Sequence, residues 1–410
     1  MVAPLHGQAP PPLRLGRADA VTRALAGNPQ LAVAREQTAQ ARARVTEFAA
    51  FPDPTLSADW TGLTSPFGVG SRTGSDYGID LTLPLPQKFL LRNRVAGADF
   101  EGFRFAYVQL RQATASATVQ AYDALLTALR HRDDLAQAES LATDFVAKTQ
   151  AQFDAGKVAK IDVVKAQVDL AQARNALIAN DRDVTNARAA LNRQIGRTLG
   201  APVEPADTLE VPPPVGDLDS LVAQAVTRRP ELQGLASARR GARAAASLAQ
   251  QYLLPDVDLG VSKNLADGTP DSYTFGVGLS FPLFFWNHQR GEVAEARHRV
   301  RELDATTVDL TAQVEQEVRG AWASADAAIK QATYLRDELL PAAAEAYRIA
   351  SVNYGLGGAS SLDVLDAKRA LLDAQSQYTD ALGAANDAIA QLELAVGAPL
   401  TGTNGGPDVR

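Results

Sequence analysis

Two aspartates, Asp363 and Asp366, are the residues whose type and spacing carry the sharpest chemistry. They stand three positions apart at the start of a long helical pattern, so they share one helix face and concentrate negative charge there. The simpler reading is structural, because a first-turn aspartate is stabilised by the positive end of the helix dipole. No reaction centre can be assembled around them. His6, His131, His288 and His298 show no paired ligand spacing, and cysteine is absent. Gly355-Leu-Gly-Gly358 has neither a preceding strand nor a following Lys-Ser/Thr, so it is no phosphate loop. Without a nucleophile elbow or a His-Glu-x-x-His motif, the chain reads as a non-enzyme with no cofactor and no resident metal.

The elements that must position these aspartates are long and repetitive. The 410 residues are 46% hydrophobic but only 6% aromatic, and alanine dominates the helical stretches. Such helices pack backbone to backbone along seams rather than around a thick globular core. The net charge of −7 and the scattered Lys and Arg argue against nucleic acid as a partner. No run of 18 or more apolar residues exists, which leaves a β-barrel as the way to cross a bilayer. Met1 is read as the start of a mature form, with any targeting segment removed.

An internal repeat organises the chain. Asn28-Pro29-Gln30-Leu31 recurs as Arg229-Pro230-Glu231-Leu232, and Leu191 to Gly196 recurs as Leu392 to Gly397, both at an offset of 201. Phe153-x-x-Gly156 with Ile161-Asp162-Val163 recurs as Tyr354-x-x-Gly357 with Leu362-Asp363-Val364 at the same offset. The pattern predicts a tail at 1–12, a first repeat at 13–201, a Pro-rich linker at 202–213, a second repeat at 214–399 and a flexible Gly-rich tail at 400–410. Each repeat holds a helix, two strands (53–63 and 74–86; 256–264 and 272–284) and a long helical hairpin with its tip near 153–161 or 354–362.

The strands alternate, most clearly as Ile79, Leu81, Leu83 and Leu85 against Asp80 and Thr82, and their length suits a tilted membrane-spanning strand. Pro29 and Pro230 fit first helical turns. After each strand pair an uninterrupted helical pattern (88–152 and 288–353) runs for about 97 Å at 1.5 Å per residue. The helices after the tips carry a heptad, Leu371, Tyr378, Ala385 and Leu392 with Ala374, Ala381, Ala388 and Ala395, echoed by Leu170, Leu177, Val184 and Leu191. The fold class is therefore mainly α with a small β part: a long antiparallel coiled-coil barrel plus four transmembrane strands per protomer. Four strands cannot close a barrel, since the smallest bacterial ones have about eight, so oligomerisation is required. Three copies supply twelve strands.

Over Leu13 to about Leu400, these motifs taken together resemble the TolC family of outer-membrane factors. The resemblance implies a homotrimer with a twelve-stranded barrel among outer-membrane lipids of a Gram-negative bacterium and a helical tunnel crossing the periplasm. It also implies partnership with a periplasmic adaptor (membrane fusion protein) and an energised inner-membrane pump of the RND type. The function implied is passive conduction of substrates to the exterior. Leu83-Pro-Leu-Pro-Gln-Lys-Phe-Leu-Leu-Arg-Asn-Arg94 and Phe281-Pro-Leu-Phe-Phe-Trp-Asn-His-Gln-Arg-Gly291 are similar to the heavy-metal branch, which serves cobalt, zinc, cadmium or copper pumps. A drug or small-molecule duct and a type I secretion duct remain alternatives. A periplasmic adaptor would carry one hairpin rather than two copies, and a coiled-coil rod would not need the strands.

By the same resemblance, Asp363 and Asp366 line the periplasmic constriction, with Tyr354 available for a hydrogen bond at the tip. Asp162 is the counterpart of Asp363, whereas Lys165 replaces Asp366, which favours a gate in the second copy. Ala359 and Ser360 stand where the family often has an arginine, which leaves the usual inter-helix ion-pair lock in doubt. Gly156 and Gly357 suit helix termination, and with Lys157, Val158, Asp162 and Gly358 they form the tips expected to dock the adaptor. Trp60 and Trp286, near strand ends, read as interface anchors or as packing.

Overall fold

The computed structural model describes residues 13–63, 73–252, 254–266, 268, 270–280 and 288–400, the side chains of His288 and Gln289 excepted. Trp286, the end of the strand expected at 272–284 and most of both tails lie outside these residues. The elements are β1 (Leu13–Leu15), α1 (Arg17–Gly27), α2 (Pro29–Phe48), β2 (Thr55–Thr61), β3 (Gly74–Leu83), α3 (Pro86–Asp154), α4 (Lys160–Gln194) and β4 (Val203–Pro205). There follow α5 (Leu218–Arg228), α6 (Pro230–Gln251), β5 (Asp256–Ala266), β6 (Ser272–Ser280), α7 (His288–Tyr334), a π-helical turn (Leu335–Leu339), α8 (Leu340–Leu356) and α9 (Ser361–Val396).

Proline draws most of the boundaries. Asn28 and Arg229, each before a proline, are extended (ψ 123° and 122°), which ends α1 and α5 and starts α2 and α6 at the proline. The side chain of Asn28 then accepts the Gln30 N–H at 2.9 Å. β2 starts at Thr55, later than expected, because Pro52 and Pro54 offer no ladder donor. β3 stops at Leu83 rather than 86 for the same reason, and Pro86 opens the 69-residue helix α3. The helix expected to run unbroken to 353 is interrupted. Pro341 removes a backbone donor and crowds the preceding turn, and the chain widens there so that the Leu340 N–H reaches back five residues to the Leu335 carbonyl.

The chain forms two compact units that do not coincide with the two repeats, since each unit collects segments of both. The second unit, Ala34–Tyr107 with Pro230–Thr311, holds a four-stranded antiparallel sheet in the order β2-β3-β5-β6. Register places Leu56, Ile79, Val261 and Phe275 in one row across all four strands, and Ala58, Tyr77, Lys263 and Tyr273 in another. Apart from Ser75 and Lys263 this face is apolar, and it is largely exposed. The opposite face carries Ser57, Gly78, Ser262 and Thr274 in one row and Thr82 beside Asp258 in another, with Thr82 Oγ donating to Asp258 at 2.6 Å. Lys88, almost fully buried in the first turns of α3, donates to the Leu254 carbonyl and to Asp256, both at 2.8 Å, and so ties helix to sheet.

The first unit comprises Met1–Val33, Val108–Arg229 and Ala312–Arg410. Its heptad seam is real but unequal: α9 buries sixteen residues and α4 six, so α9 is the internal helix and α4 keeps a face free. Leu371, Ala374, Ala381, Ala385, Ala388, Leu392 and Ala395 are all buried, whereas in the first copy only Val184 and Leu191 of the heptad are. Segment 202–213 does more than connect. β4 pairs in parallel with β1, and Leu15, Val203 and Leu209 join Tyr122, Leu125, Leu191 and Leu382 in one core cluster.

A buried polar network pins that strap to the helices. Arg17 donates to Asp123 at 2.6 Å and to Asn386 at 3.2 Å, and the Tyr122 hydroxyl lies 2.9 Å from both the Leu15 carbonyl and Asp207. Burial pushes the Asp123 carboxyl up to about 6, against the pull of Arg17 and with help from Asp387 and Asp207. An unfolded aspartate titrates near 4, roughly, so between about pH 4 and 6 the folded state holds a proton that the unfolded chain has lost. The contribution is full below that window and lost as pH rises through it. The thermal midpoint of the wild type, measured against Asp123→Asn, should therefore fall as pH rises from 4 to 7 and level off above; parallel profiles would contradict the assignment.

Candidate functional site

The two helical turns of the first unit are built alike. Gly156 and Gly357 have φ of +72° and +81°, a conformation that L side chains rarely adopt. In the first turn the Lys157 N–H bonds the Gln152 carbonyl and the Gly156 N–H the Phe153 carbonyl, both at 2.9 Å. In the second the Gly358 N–H bonds the Asn353 carbonyl at 2.8 Å and the Gly357 N–H the Tyr354 carbonyl at 3.1 Å. Both pairs are Schellman closures, which satisfy the last carbonyls of α3 and α8. A Cβ built on either glycine would meet nothing within 4 Å among the described residues, so these glycines are required by backbone conformation and not by crowding.

The helices that leave the turns start differently. Ser360 caps α9: its hydroxyl accepts the Asp363 N–H at 3.2 Å, while Asp363 Oδ2 accepts the Ser360 N–H and O–H, each at 2.8 Å. The Ser360 backbone N–H, then its hydroxyl, hold the Asp363 carboxyl below the usual aspartate range. Asp366, one turn on, is 63% exposed, with Arg369 at 3.8 Å. The side chain of Ala159 at the start of α4 has no acceptor to offer, and the Asp162 N–H bonds the Ala159 carbonyl instead at 3.0 Å. There Asp162 takes the Ala159 N–H at 3.3 Å with one oxygen and the Ser361 hydroxyl at 2.6 Å with the other, which joins the first hairpin to the second.

The aromatic residues of the repeated turn motif also part ways. Tyr354 is 3% exposed, packs 5.6 Å from the Phe145 ring beside Ala166, Val364 and Leu365, and donates to Thr149 Oγ at 3.3 Å. Its backbone carbonyl accepts from Gln152 at 3.0 Å. Phe153, its repeat partner, is 36% exposed. The Tyr354–Thr149 hydrogen bond runs within the chain, from α8 to α3. Gly156, Lys157, Gly357 and Gly358 are exposed, and Val158 and Asp162 are half-buried.

Sequence reasoning missed the contact two turns behind the tips, where Lys368 of α9 donates to Asp169 of α4. The repeat offset of 201 aligns Asp169 with Ala370, whereas the contact joins residues 199 apart. A lysine inside the α9 heptad stretch was the available signal. Trp60 lies on the apolar sheet face with Leu56, and the structure adds Tyr77 and Tyr273 to that face near the same strand ends. Among the described residues no cluster of His, Cys, Asp or Glu could hold a metal ion.

Strand hairpins and capped helical hairpins, alternating twice along the chain, define the class of outer-membrane efflux channels. The Outer membrane efflux protein family profile matches residues 20–197 and again 221–398, and the chain belongs to that family. The chain is similar to the cobalt-zinc-cadmium resistance protein CzcC of Cupriavidus metallidurans, 27% identical over 59% of this chain and 58% of CzcC. It is also similar to the outer membrane efflux protein BepC of Brucella suis, 24% identical over 74% of this chain and 68% of BepC. Among solved structures, the fold matches CusC (TM-score 0.81, 18% identity, 96% of each chain) and the outer-membrane channel OprN (0.80, 20%, 93% of this chain and 90% of that one). Family membership makes the chain an outer-membrane efflux protein.

The caps make a checkable claim about the tips. Gly357→Ala and Ser360→Ala should each destabilise the second tip by about 1 kcal/mol, read as faster amide exchange at 357–363. Gly355→Ala, inside helix α8, should instead slow exchange slightly.

Proposed function

We propose that the chain is one protomer of a homotrimeric exit duct, in which three four-stranded sheets close a twelve-stranded barrel and the helical hairpins form the periplasmic tunnel. The observation that carries this is the sheet itself. Its apolar face is exposed, its other face is polar, and β2 and β6 are edge strands exposed along almost their whole length. Such a sheet is satisfied by lipid on one face, water on the other and further strands at both edges. Trp60, Tyr77 and Tyr273 then sit where aromatic residues meet lipid headgroups.

The tips take the periplasmic role. Gly156, Lys157, Val158 and Asp162 of one hairpin and Gly357 and Gly358 of the other are the surface offered to a periplasmic adaptor, which would couple the duct to an inner-membrane pump of the RND type. Asp363 and Asp366 from three chains would ring the constriction with six carboxylates, while Tyr354 fixes the helix that carries them. A ring of that charge favours cations. Divalent metal ions are the cargo we favour, on the likeness to CzcC over 59% of the chain; a drug duct is the second reading, on the likeness to BepC.

Planar bilayers test the duct and its gate together. The wild type should form channels of low conductance that prefer cations and are blocked by millimolar divalent ions. Asp366→Asn, which leaves the Ser360 cap intact, should raise conductance and weaken that block severalfold; no channels, or channels unchanged by the substitution, would contradict the proposal. Survival of a knockout strain challenged with zinc, cobalt, copper and several drugs separates the two cargo readings.

A further inference from the structure

The two repeats tie their opening segments to a long helix in chemically different ways. In the second, the Trp322 indole of α7 donates to the Gly216 carbonyl at 2.9 Å. In the first, the Tyr122 hydroxyl of α3 lies 2.9 Å from the carbonyl of Leu15, the residue 201 positions before Gly216. The first anchor continues into a set of ionisable groups. Asp207 accepts the backbone N–H of Arg17 at 2.7 Å and faces the Tyr122 hydroxyl, while Asp123 takes the Arg17 guanidinium on Oδ1. At the same offset Ser324 stands for Asp123 and Leu218 for Arg17, both neutral. Anchoring an opening segment therefore does not require the charges.

Asp123 is the unsatisfied member of this set. It is 2% exposed, and its Oδ2 has no hydrogen-bond partner among the described residues. A buried ionised carboxylate needs both oxygens satisfied, because its desolvation is otherwise uncompensated. The cation facing it is Arg17 of α1, whose side chain is 38% exposed, so water screens its pull. Two further carboxylates, Asp387 of α9 and Asp207 after β4, both raise the cost of ionising Asp123. Asn386 of α9 accepts from Arg17 and gives its amide to the Glu210 and Leu382 carbonyls. α4 meets the same core through apolar Val184, Ala187 and Leu191. Tyr122 keeps its own proton, since burial and then Asp207 push its hydroxyl up to about 12. A proton on Asp123 Oδ2 removes one of three clustered negative charges and leaves the Arg17 contact on Oδ1 in place.

We infer that Asp123 is a proton-binding site that clasps the strap, Leu13–Leu15 with residues 202–211, onto α3 and α9, and that losing the proton loosens the strap. A clasped state that binds the proton more tightly than a loosened one is favoured by acid and weakened as pH rises. Loosening parts Leu15, Val203 and Leu209 from their core and frees Asn386 from Glu210, so the hold on α9, which carries Asp363 and Asp366, becomes pH-dependent. Hydrogen exchange on the full chain in detergent tests this, with rates expressed as protection factors so that the intrinsic pH dependence cancels. The reporters are the Leu13 N–H on the Pro202 carbonyl and the Ala206 N–H on that of Leu15. Their protection should fall severalfold as pH rises from 5 to 7.5, with a midpoint at about 6, while the Gly397 N–H, closed on Glu393, stays unchanged. D123N, nearly isosteric and uncharged, should hold the acid-state protection throughout. D387N removes a repelling charge whose carboxylate bonds Gln391 and not the strap. It should move the midpoint to lower pH, and it carries the test if D123N fails to fold. Flat wild-type protection across that range, a D123N profile that follows the wild type, or an unmoved midpoint in D387N would each overturn the clasp.

Discussion

A four-stranded antiparallel sheet with two open edges and an exposed apolar face is the constraint on which the rest of the molecule depends. Backbone donors and acceptors on β2 and β6 need partners, and in lipid no water supplies them. In the proposed trimer, further copies of the same sheet would satisfy both edges at once, since β2 and β6 come from different repeats and present unlike edges. On that reading the repeat meets this demand. Each copy contributes one strand hairpin, and β3 with β5 forms the joint between copies in a ten-pair ladder from Gly74–Ala266 to Leu83–Val257. Lys88 then anchors the long helix of the first copy to the start of β5 in the second, so the junction is held by both halves of the chain.

Duplication has preserved geometry at the tips and let the chemistry diverge. The Schellman closures at Gly156 and Gly357 match bond for bond, because the requirement of a left-handed residue is a backbone matter indifferent to neighbours. Side chains around them answer to different surroundings. Tyr354 is buried where Phe153 is exposed, Ser360 caps where Ala159 cannot, and Asp162 bridges the hairpins where Asp363 serves its own helix. One hairpin is therefore packed through α9 into the protomer. The other keeps a face of α4 free, including exposed Ile161, Val164 and Val168.

Much of this was legible from residue types alone. The prolines at 29 and 230, the glycines at 156 and 357, the alternation along β3 and the α9 heptad are local signals, and local signals survive in a sequence. What escaped was either too short or set by tertiary register. β1 and β4 are three residues each and pair across most of the first repeat, so no periodicity announces them. The π turn at Leu335–Leu339 is hidden behind an otherwise normal helical pattern, with Pro341 its only trace. Lys88 reads as one more charge in a junction until burial shows its two acceptors. At the candidate site, the first-turn place of Asp363 follows from spacing, whereas its reciprocal cap with Ser360 went unread and the Lys368–Asp169 contact depends on a register of 199 between helices whose sequences align at 201.

Oligomeric state decides whether the open sheet is the organising constraint. Native mass spectrometry of the full chain, extracted and kept in a mild detergent that preserves β-barrels, measures it directly. The account requires a mass of three chains, with no stable population at the 43.4 kDa of a single protomer. A folded monomer persisting in that detergent, with its four-stranded sheet intact and its edges unpaired, would contradict it.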